Sequence, residues 1–216
     1  MADHQRAYSP ERKAERYSDL MHTTDSLFRE RGFHEVTISS VAKELGWTRN
    51  NVYRYARTIE EVFLALYKEK YDEFTADLMA AARSKAPDTP HDLGILFCDV
   101  VGRHRDYLDY QSILGSIIET NIPHEMLVEF KRELEVKNTQ ATQLAMQCVP
   151  CLSCEQALEV FIGMIYLASG ANSHFRSAEK QSSAMKEAGV RFGAQGFRGT
   201  LEPLVEALLA GTAVAR

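Results

Sequence analysis

Residues 37–57 have the sequence TISSVAKELGWTRNNVYRYAR, and this stretch decides how the rest of the chain is interpreted. Thr37 is a suitable N-cap because its hydroxyl can accept a hydrogen bond from a backbone N–H two or three residues later. The apolar residues that follow recur at helical spacing and are Ile38, Val41, Ala42 and Leu45. The pattern predicts a short helix with one apolar face.

A turn and two further helix starts follow directly. Gly46 can adopt the left-handed backbone conformation that ends a helix without a Cβ clash. Thr48 is placed to cap a second helix, predicted over residues 49–55, and Thr58 to cap a third, with Glu61 completing a capping box. Short helices around a glycine turn, the second of them polar, are typical of a helix–turn–helix that presents its second helix to the major groove of DNA.

The second helix carries side chains that suit base recognition better than a merely solvated face. Arginine pairs with guanine and asparagine with adenine in the major groove. The residues predicted to contact base edges are Arg49, Asn50, Asn51 and Arg54. Phosphate contacts position a protein on the duplex without reading sequence. The residues predicted to make them are Thr37, Ser39, Thr48 and Arg57.

Charge is distributed unevenly along the 216 residues, although the hydrophobic content of 45% and the charged content of 25% are ordinary for a globular protein. The net charge is −5. Residues 1–57 nevertheless contain ten Lys and Arg against eight Asp and Glu, whereas the remainder contains fifteen against twenty-two. Phosphate contact needs a local basic surface rather than a basic protein, so the acidic total is compatible with DNA binding.

The sequence gives no sign of a membrane or secreted protein. It lacks an uninterrupted apolar run of about 18 residues, so no membrane span is predicted. The first thirty residues lack the apolar core of a secretory signal. We therefore expect a cytoplasmic protein whose four cysteines are reduced thiols.

Strand signals are almost absent, so an all-α fold is predicted. Beyond the helix–turn–helix, helices are expected at about 11–31, 59–82, 91–109, 111–121, 124–147, 154–171 and 200–210, with a flexible connector over the polar residues 173–199. The predicted domains are a flexible N-terminal arm (1–10), a three-helix DNA-binding head (11–57), a long connecting helix (58–84) and a helical ligand-binding and dimerisation domain (85–216).

The aromatic residues and methionines of the C-terminal domain are mainly core by this pattern, and a subset is predicted to line a small-molecule cavity between helices. The predicted pocket residues are Phe97, Tyr107, Tyr110, Met126, Phe130, Phe161 and Met164. His104, flanked by two arginines, is expected at the surface rather than in that pocket.

Three cysteines within seven residues allow two interpretations. Cys148, Cys151 and Cys154 could be soft metal ligands or a redox-sensing group, which would make the protein a thiol- or metal-responsive regulator. They could also be ordinary small apolar residues at a helix end. No nearby residue offers an obvious fourth ligand, so packing is the preferred interpretation and neither metal nor cofactor is predicted.

Signatures of catalysis are missing. There is no Gly-x-Ser-x-Gly elbow and no Walker loop, and His124-Glu125 lacks the second histidine of a zinc protease. The glycines at 189, 193, 196 and 199 do not form a phosphate-binding pattern. We predict that the protein is not an enzyme. An enzyme that retains a vestigial DNA-binding head is the more distant alternative.

Residues 11–75 resemble the TetR family of bacterial transcriptional regulators. The resemblance rests on Gly32-Phe33 after the first helix, the run from Thr37 to Gly46, the triplet Tyr53-Arg54-Tyr55, and the residues from Thr58 to Glu61. It implies an N-terminal head whose Tyr53 hydroxyl contacts a phosphate and whose Tyr55 is partly packed. It further implies a homodimeric repressor that binds a palindromic operator and is released by a small-molecule effector.

Dimerisation also follows from geometry, because one short recognition helix reads too few base pairs to specify a site. The predicted interface is a four-helix seam formed by the helices near 154–171 and 200–210. Two positions depart from the family pattern: Ala56 stands where phenylalanine is usual, and Trp47 where valine is common. Since volume-conserving changes are tolerated best, we expect Trp47 to fill the space that Ala56 leaves.

Overall fold

The computed structural model of the chain describes residues 10–190 and 195–214, of which 177–181, 213 and 214 are described for the backbone only. The α-helices are α1 (Pro10–Arg31), α2 (Ile38–Glu44), α3 (Arg49–Val52), α4 (Ile59–Lys85), α5 (Pro90–Val101), α6 (Arg105–Ile113), α7 (His124–Cys148), α8 (Cys154–Glu187) and α9 (Gly196–Val214). Short 3₁₀- and π-helical segments cover Phe33–Glu35 and Leu114–Ile118. No strand occurs in these described ranges, so the all-α prediction is confirmed.

The chain divides into two compact units. The described residues up to 68, together with 114–123, form the first unit. Residues 69–113 and the described residues from 124 onward form the second. Helix α4 contributes to both, because the boundary at Lys68 lies within it.

The first unit is built around side chains that α1 and α4 bury together. Phe28 of α1 and Phe33 of the 3₁₀ segment each lie 5.2 Å, centroid to centroid, from the ring of Phe63 on α4. Helix α2 packs against α1 and α3, and its inward residue Val41 is fully buried, as is Val52 of α3. This core fixes the orientation of the two short helices.

Helices α5, α6 and α7 pack against α8 and α9 in the second unit. Helix α8 contacts α6, α7 and α9, and α9 also contacts α5. A Cβ at Gly94 of α5 would lie 3.3 Å from Leu209 Cδ1 and 3.5 Å from Val205 Cγ1. Because that spacing leaves little room for any side chain, the glycine allows α9 to approach α5 closely.

An aromatic cluster forms the centre of the second unit. The rings of Phe74 and Tyr107 are stacked at 5.0 Å, and Phe97 meets Phe74 edge-on at 6.1 Å. Tyr71 packs against Tyr107 at 5.6 Å and its hydroxyl donates to Asn138 Oδ1. Burial disfavours the phenolate and raises the pKa of Tyr71 well above its ordinary value. Phe97 and Tyr107, which were predicted to line a pocket, are thus part of a packed core.

Beyond the helix–turn–helix, three predicted elements differ clearly from the structure. The helix expected at 91–109 is interrupted at residues 102–104, since α5 ends at Val101 and α6 begins at Arg105. The helix expected at 111–121 ends in a π-helical turn, where the Glu119 N–H donates to the Leu114 carbonyl at 2.9 Å. The connector expected at 173–199 is helical as far as Glu187, because its alanine, glutamate, lysine and glutamine residues are good helix formers despite their polarity.

Two expectations fall on residues outside the described ranges. The predicted flexible arm (1–10) lies outside them except for Pro10, and Gly193 lies outside them as well.

Candidate nucleic-acid interface

The turn between α2 and α3 is fixed by the residues that the sequence indicated. Gly46 has φ +64°, and its N–H donates to the Lys43 carbonyl at 3.2 Å. The Trp47 N–H donates to the Ala42 carbonyl at 2.8 Å. This pair of bonds is a Schellman motif, which satisfies the last carbonyls of α2 and sets the direction in which α3 leaves.

Both N-caps are formed as predicted. The Thr37 hydroxyl accepts from the Ser40 N–H at 3.1 Å, and the Ser40 hydroxyl oxygen accepts from the Thr37 N–H at 2.8 Å. The Thr48 hydroxyl accepts from the Asn51 N–H at 3.3 Å. The capping partner Ser40 was not predicted, although serine three residues after a threonine cap could have indicated it.

The third cap differs from the predicted capping box. The Thr58 hydroxyl accepts from the Glu61 N–H at 3.3 Å, as expected. The Glu61 carboxylate, however, accepts from the N–H of Arg57 rather than that of Thr58, at 2.8 Å. The bond holds the backbone of Arg57 against the start of α4.

Helix α3 is shorter than predicted. It ends at Val52 instead of Tyr55, and residues 53–55 form a turn in which the Tyr55 N–H donates to the Val52 carbonyl at 2.9 Å. Asparagine, valine and tyrosine are weak helix formers, which explains why no regular helix continues. Arg54 therefore extends from a turn rather than from a helix face.

The predicted DNA-contacting residues lie on one short exposed stretch of the first unit. Asn51 is half-buried, whereas the remaining predicted residues are exposed: Thr37, Ser39, Thr48, Arg49, Asn50, Tyr53, Arg54 and Arg57. Tyr53 is 50% exposed. Anchored by the buried Val52, this stretch presents guanidinium, amide and hydroxyl groups together, the groups that bind base edges and phosphates.

An aromatic row supports the turn from the side of α1. Tyr55 is half-buried and lies 6.4 Å from Tyr17 and 6.0 Å from Trp47, centroid to centroid. The guanidinium of Arg16 lies over the Trp47 ring at 5.3 Å. Trp47 thus holds the positive charge of Arg16 beside the recognition helix. The sequence predicted only that Trp47 fills space and did not indicate this contact. Ala56 is buried, and the expected compensation between the two positions stays a prediction.

The predicted pocket residues lie in the second unit. Met126 is half-buried, and the other six, Phe97, Tyr107, Tyr110, Phe130, Phe161 and Met164, are buried. A surface cleft of about 470 Å³ lies between α4 and α7, and one of about 260 Å³ between α8 and α9. Neither cleft is lined by the predicted residues, so their role as a pocket stays a prediction.

The three clustered cysteines differ in their surroundings. Cys148 is buried, its thiol donates to the Pro87 carbonyl at 3.4 Å, and burial raises its pKa to about 11. Cys151 is half-buried and Cys154 is exposed, so the packing interpretation fits only the first of them fully. Within the described ranges, no group of three or more His, Cys, Asp or Glu side chains is arranged to hold a metal ion.

The described helices include none long and apolar enough to cross a membrane.

Comparison with known proteins identifies both parts of the chain. Residues 20–66 match the family described as bacterial regulatory proteins, tetR family, and residues 68–216 match the tetracyclin repressor-like C-terminal domain. Among curated proteins, the fatty acid metabolism regulator protein of Bacillus subtilis is 26% identical over 74 residues, which are 34% of this chain and 38% of that protein. The uncharacterised regulator YfiR of the same organism is 30% identical over 63 residues, 29% of this chain and 31% of that protein. The matched segments thus span about a third of these relatives.

Solved structures share the fold over nearly the whole chain. A TetR/AcrR-family regulator from Thermobifida fusca has a TM-score of 0.57 at 19% identity, covering 91% of this chain and 98% of its own. The fatty acid degradation regulator FadR of Bacillus halodurans has a TM-score of 0.60 at 16% identity, with coverages of 94% and 97%. Because the C-terminal family match alone spans more than half of the residues, the chain belongs to the TetR family of bacterial transcriptional regulators.

Proposed function

We propose that this TetR-family regulator is a homodimeric repressor that binds a palindromic operator and leaves it when a small-molecule effector binds the second unit. The observation that carries the proposal is the recognition turn. Arg49, Asn50 and Arg54 are exposed together on a stretch that two capped helices, a Schellman turn and the buried Val52 hold in place.

Base and phosphate contacts are divided between neighbouring residues. Arg49 and Arg54 carry planar guanidinium groups that can donate two hydrogen bonds to guanine, and Asn50 can pair with adenine. Thr37, Ser39, Thr48, Tyr53 and Arg57 surround them and contact phosphates. Arg16, held over Trp47, adds a positive charge beside the same surface.

The proposed dimer contact is the outer side of α8 and α9. These helices run antiparallel, since Phe175 meets Phe197 at 6.3 Å while a Cβ at Gly163 would lie 3.2 Å from Leu208. Tyr166 and Leu204 fall between those two contacts and are 64% and 45% exposed. Exposed large apolar side chains favour a protein partner. In a dimer with a twofold axis, Tyr166 and Leu204 of one copy would pack against the same residues of the second copy.

For the effector to release the protein from DNA, its binding must favour a distance between the two DNA-binding heads that differs from the distance between the operator half-sites. Heads bound to successive major grooves on one face are about 34 Å apart. A coupling free energy of about 1–3 kcal/mol would suffice to lower operator affinity markedly. Helix α4, which contributes residues to both units, is the proposed lever.

The first genes to examine are those of fatty acid metabolism, because two similar proteins are named as regulators of fatty acid metabolism or degradation. In the organism that carries the gene, chromatin bound by the full chain would be sequenced and transcripts compared between wild-type and deletion strains. A repressor predicts that transcripts next to bound sites rise in the deletion strain. A fall at those sites would contradict repression, and an absence of bound sites would contradict the operator.

A further inference from the structure

Arg105, the first residue of α6, places its guanidinium against α8 and α9. Its Nε donates to Asn172 Oδ1 at 2.8 Å, and the Asn172 amide returns a bond to the Arg105 carbonyl at 3.3 Å. Asn172 is fully buried, and the guanidinium lies over the Phe197 ring at 5.1 Å. One feature of the sequence could have indicated this arrangement. Asn172 follows Phe161, Met164 and Ala168 at helical spacing, so a polar residue lies on the apolar face of α8.

One atom of this group is anomalous. Nη2 of Arg105 is a buried side-chain nitrogen without a hydrogen-bond partner in the described structure. A buried donor left unsatisfied costs about 1–3 kcal/mol, and more when the group is charged. Native proteins rarely retain such an atom without a reason.

Asp109, one turn further along α6, is bonded to other side chains. Asp109 receives bonds from Arg176 Nη2 at 2.9 Å and from the Asn172 amide at 2.7 Å. Its charge is therefore matched by Arg176. Among the described residues, the polar side-chain partner of the Arg105 guanidinium is the neutral amide of Asn172, so a positive charge remains for a ligand to meet.

We propose that Arg105 binds the oxyanion group of the effector, either a carboxylate or a phosphate, between α6, α8 and α9. This inference rests on the effector response proposed above. The guanidinium suits these groups because its planar N–H donors match their oxygens. The rings of Phe197 and Phe175, 6.3 Å apart, provide an apolar surface beside the charge, so the ligand class is an amphipathic anion.

The position of Arg105 connects such a ligand to helix α4. The residues on either side of it bind α4 directly: His104 Nε2 lies 3.0 Å from Asp77 Oδ2, and Asp106 lies 3.3 Å from Lys70 Nζ. His104 is half-buried, with 13% of its side chain exposed, beside the half-exposed Asp77. An anion on Arg105 would therefore act on the same three-residue segment, 104–106, that contacts the proposed lever, helix α4.

Calorimetry on the full chain of residues 1–216 tests the site with four probes of equal alkyl chain length: octanoate, octyl phosphate, octanol and octylamine. We expect one or both anions to bind at least tenfold more tightly than the alcohol and the amine, and the better anion identifies the group. Arg105→Gln should weaken that binding at least tenfold. Arg132→Gln, which removes an exposed arginine on α7, should leave it unchanged. Equal binding of all four probes, or anion binding unaffected by Arg105→Gln, would overturn the proposal.

Arginine side-chain NMR covers the case in which Arg105→Gln does not fold. The wild-type Arg105 Nε–H resonance, assigned by its loss in Arg105→Lys, should shift on adding octanoate or octyl phosphate. A resonance that neither anion moves would overturn the site. Operator affinity measured in the same samples separates the two proposals. Release by a compound that leaves Arg105 unperturbed contradicts only the site, whereas anion binding at Arg105 without release contradicts its role as the effector contact.

Discussion

Individual arginines of the DNA-binding head are expected to contribute different kinds of contact. Arg49 and Arg54 lie at the start of α3 and in the turn after it, next to the amide of Asn50. Arg57 lies beyond the turn, with its backbone held by Glu61. The first two are placed for base edges and the third for a phosphate.

Replacing Arg49 or Arg54 by alanine should weaken binding to the preferred operator by about 1–3 kcal/mol and relax the preference at one base pair per half-site. Arg57→Ala is the matched control. It should weaken binding to all DNA sequences alike. It should also reduce the salt dependence of DNA affinity by the equivalent of about one phosphate contact. Fluorescence anisotropy on matched and mismatched duplexes at several salt concentrations separates these outcomes. A sequence-selective loss in Arg57→Ala would show that the phosphate assignment is wrong.

Asp99 should make folding stability depend on pH. Its carboxylate accepts from Lys85 Nζ at 2.8 Å and pairs with Arg198 Nη1 at 2.6 Å, and these partners, Lys85 foremost, hold the pKa of Asp99 below its ordinary range. A carboxyl whose pKa is lower in the folded chain stabilises the fold above its unfolded-chain pKa. That stabilisation is lost as the pH falls through the folded-state pKa.

Asp99→Asn should therefore lower the free energy of unfolding by about 1 kcal/mol at pH 7, as expected for a small, partly exposed charge network. The difference from wild type should shrink as the pH falls below the ordinary range of aspartate. Urea titrations at several pH values measure this, with the exposed Asp19→Asn as control. A difference that stays constant down to low pH would contradict the charge-based explanation.

At the scale of single elements, the α2–α3 turn depends on one backbone conformation. Gly46 has φ +64°, where a Cβ costs about 1–2 kcal/mol. Gly46→Ala should therefore destabilise the protein by about that amount. Gly46→Asn should lose less, because asparagine tolerates the left-handed region. Equal losses in thermal and urea unfolding would contradict the conformational explanation, because a Cβ at Gly46 would lie more than 4 Å from any other described residue beyond its neighbours.

The junction between α7 and α8 tests the thiol alternative. Cys148 has a raised pKa and is poorly reactive, while Cys154 is exposed. The triple variant Cys148, Cys151, Cys154→Ser should fold and bind operator, and wild-type affinity should not respond to zinc chelators or mild peroxide. A reversible response of tenfold or more, about 1.4 kcal/mol, that disappears in the triple variant would establish a thiol- or metal-responsive regulator.

Local signals in the sequence were enough for the head but not for the second unit. Thr37, Gly46 and Thr48 specify their caps and turn within four or five residues, so their roles could be inferred without tertiary contacts. The interruption at 102–104 involves a partner distant in sequence, since His104 pairs with Asp77 of α4. The continuation of α8 to Glu187 follows instead from helix propensity, which the polar composition of residues 173–187 obscured. The pairing of Arg105 with Asn172 spans 67 residues and could not be read from spacing alone.

For the whole molecule, the proposed dimer makes a direct prediction. Tyr166→Asp places a charge on the outer side of α8, where the second copy is expected to pack. It should convert the dimer to a monomer in sedimentation velocity and weaken operator binding at least tenfold, since the two half-sites are then no longer bound by linked heads. Val136→Asp, at an even more exposed apolar position on α7, should change neither property. A dimer that survives Tyr166→Asp would require a different interface.

Operator recognition is tested most directly by selecting DNA duplexes from a random library with the full chain and sequencing those retained. A dimeric regulator should enrich an inverted repeat whose half-site centres are separated by one helical turn, about 10 base pairs, or a multiple of it, because two recognition helices then face successive major grooves. Retained duplexes without an enriched sequence, or with a single unrepeated motif, would contradict a dimeric regulator that reads its operator through the turn at Arg49, Asn50 and Arg54.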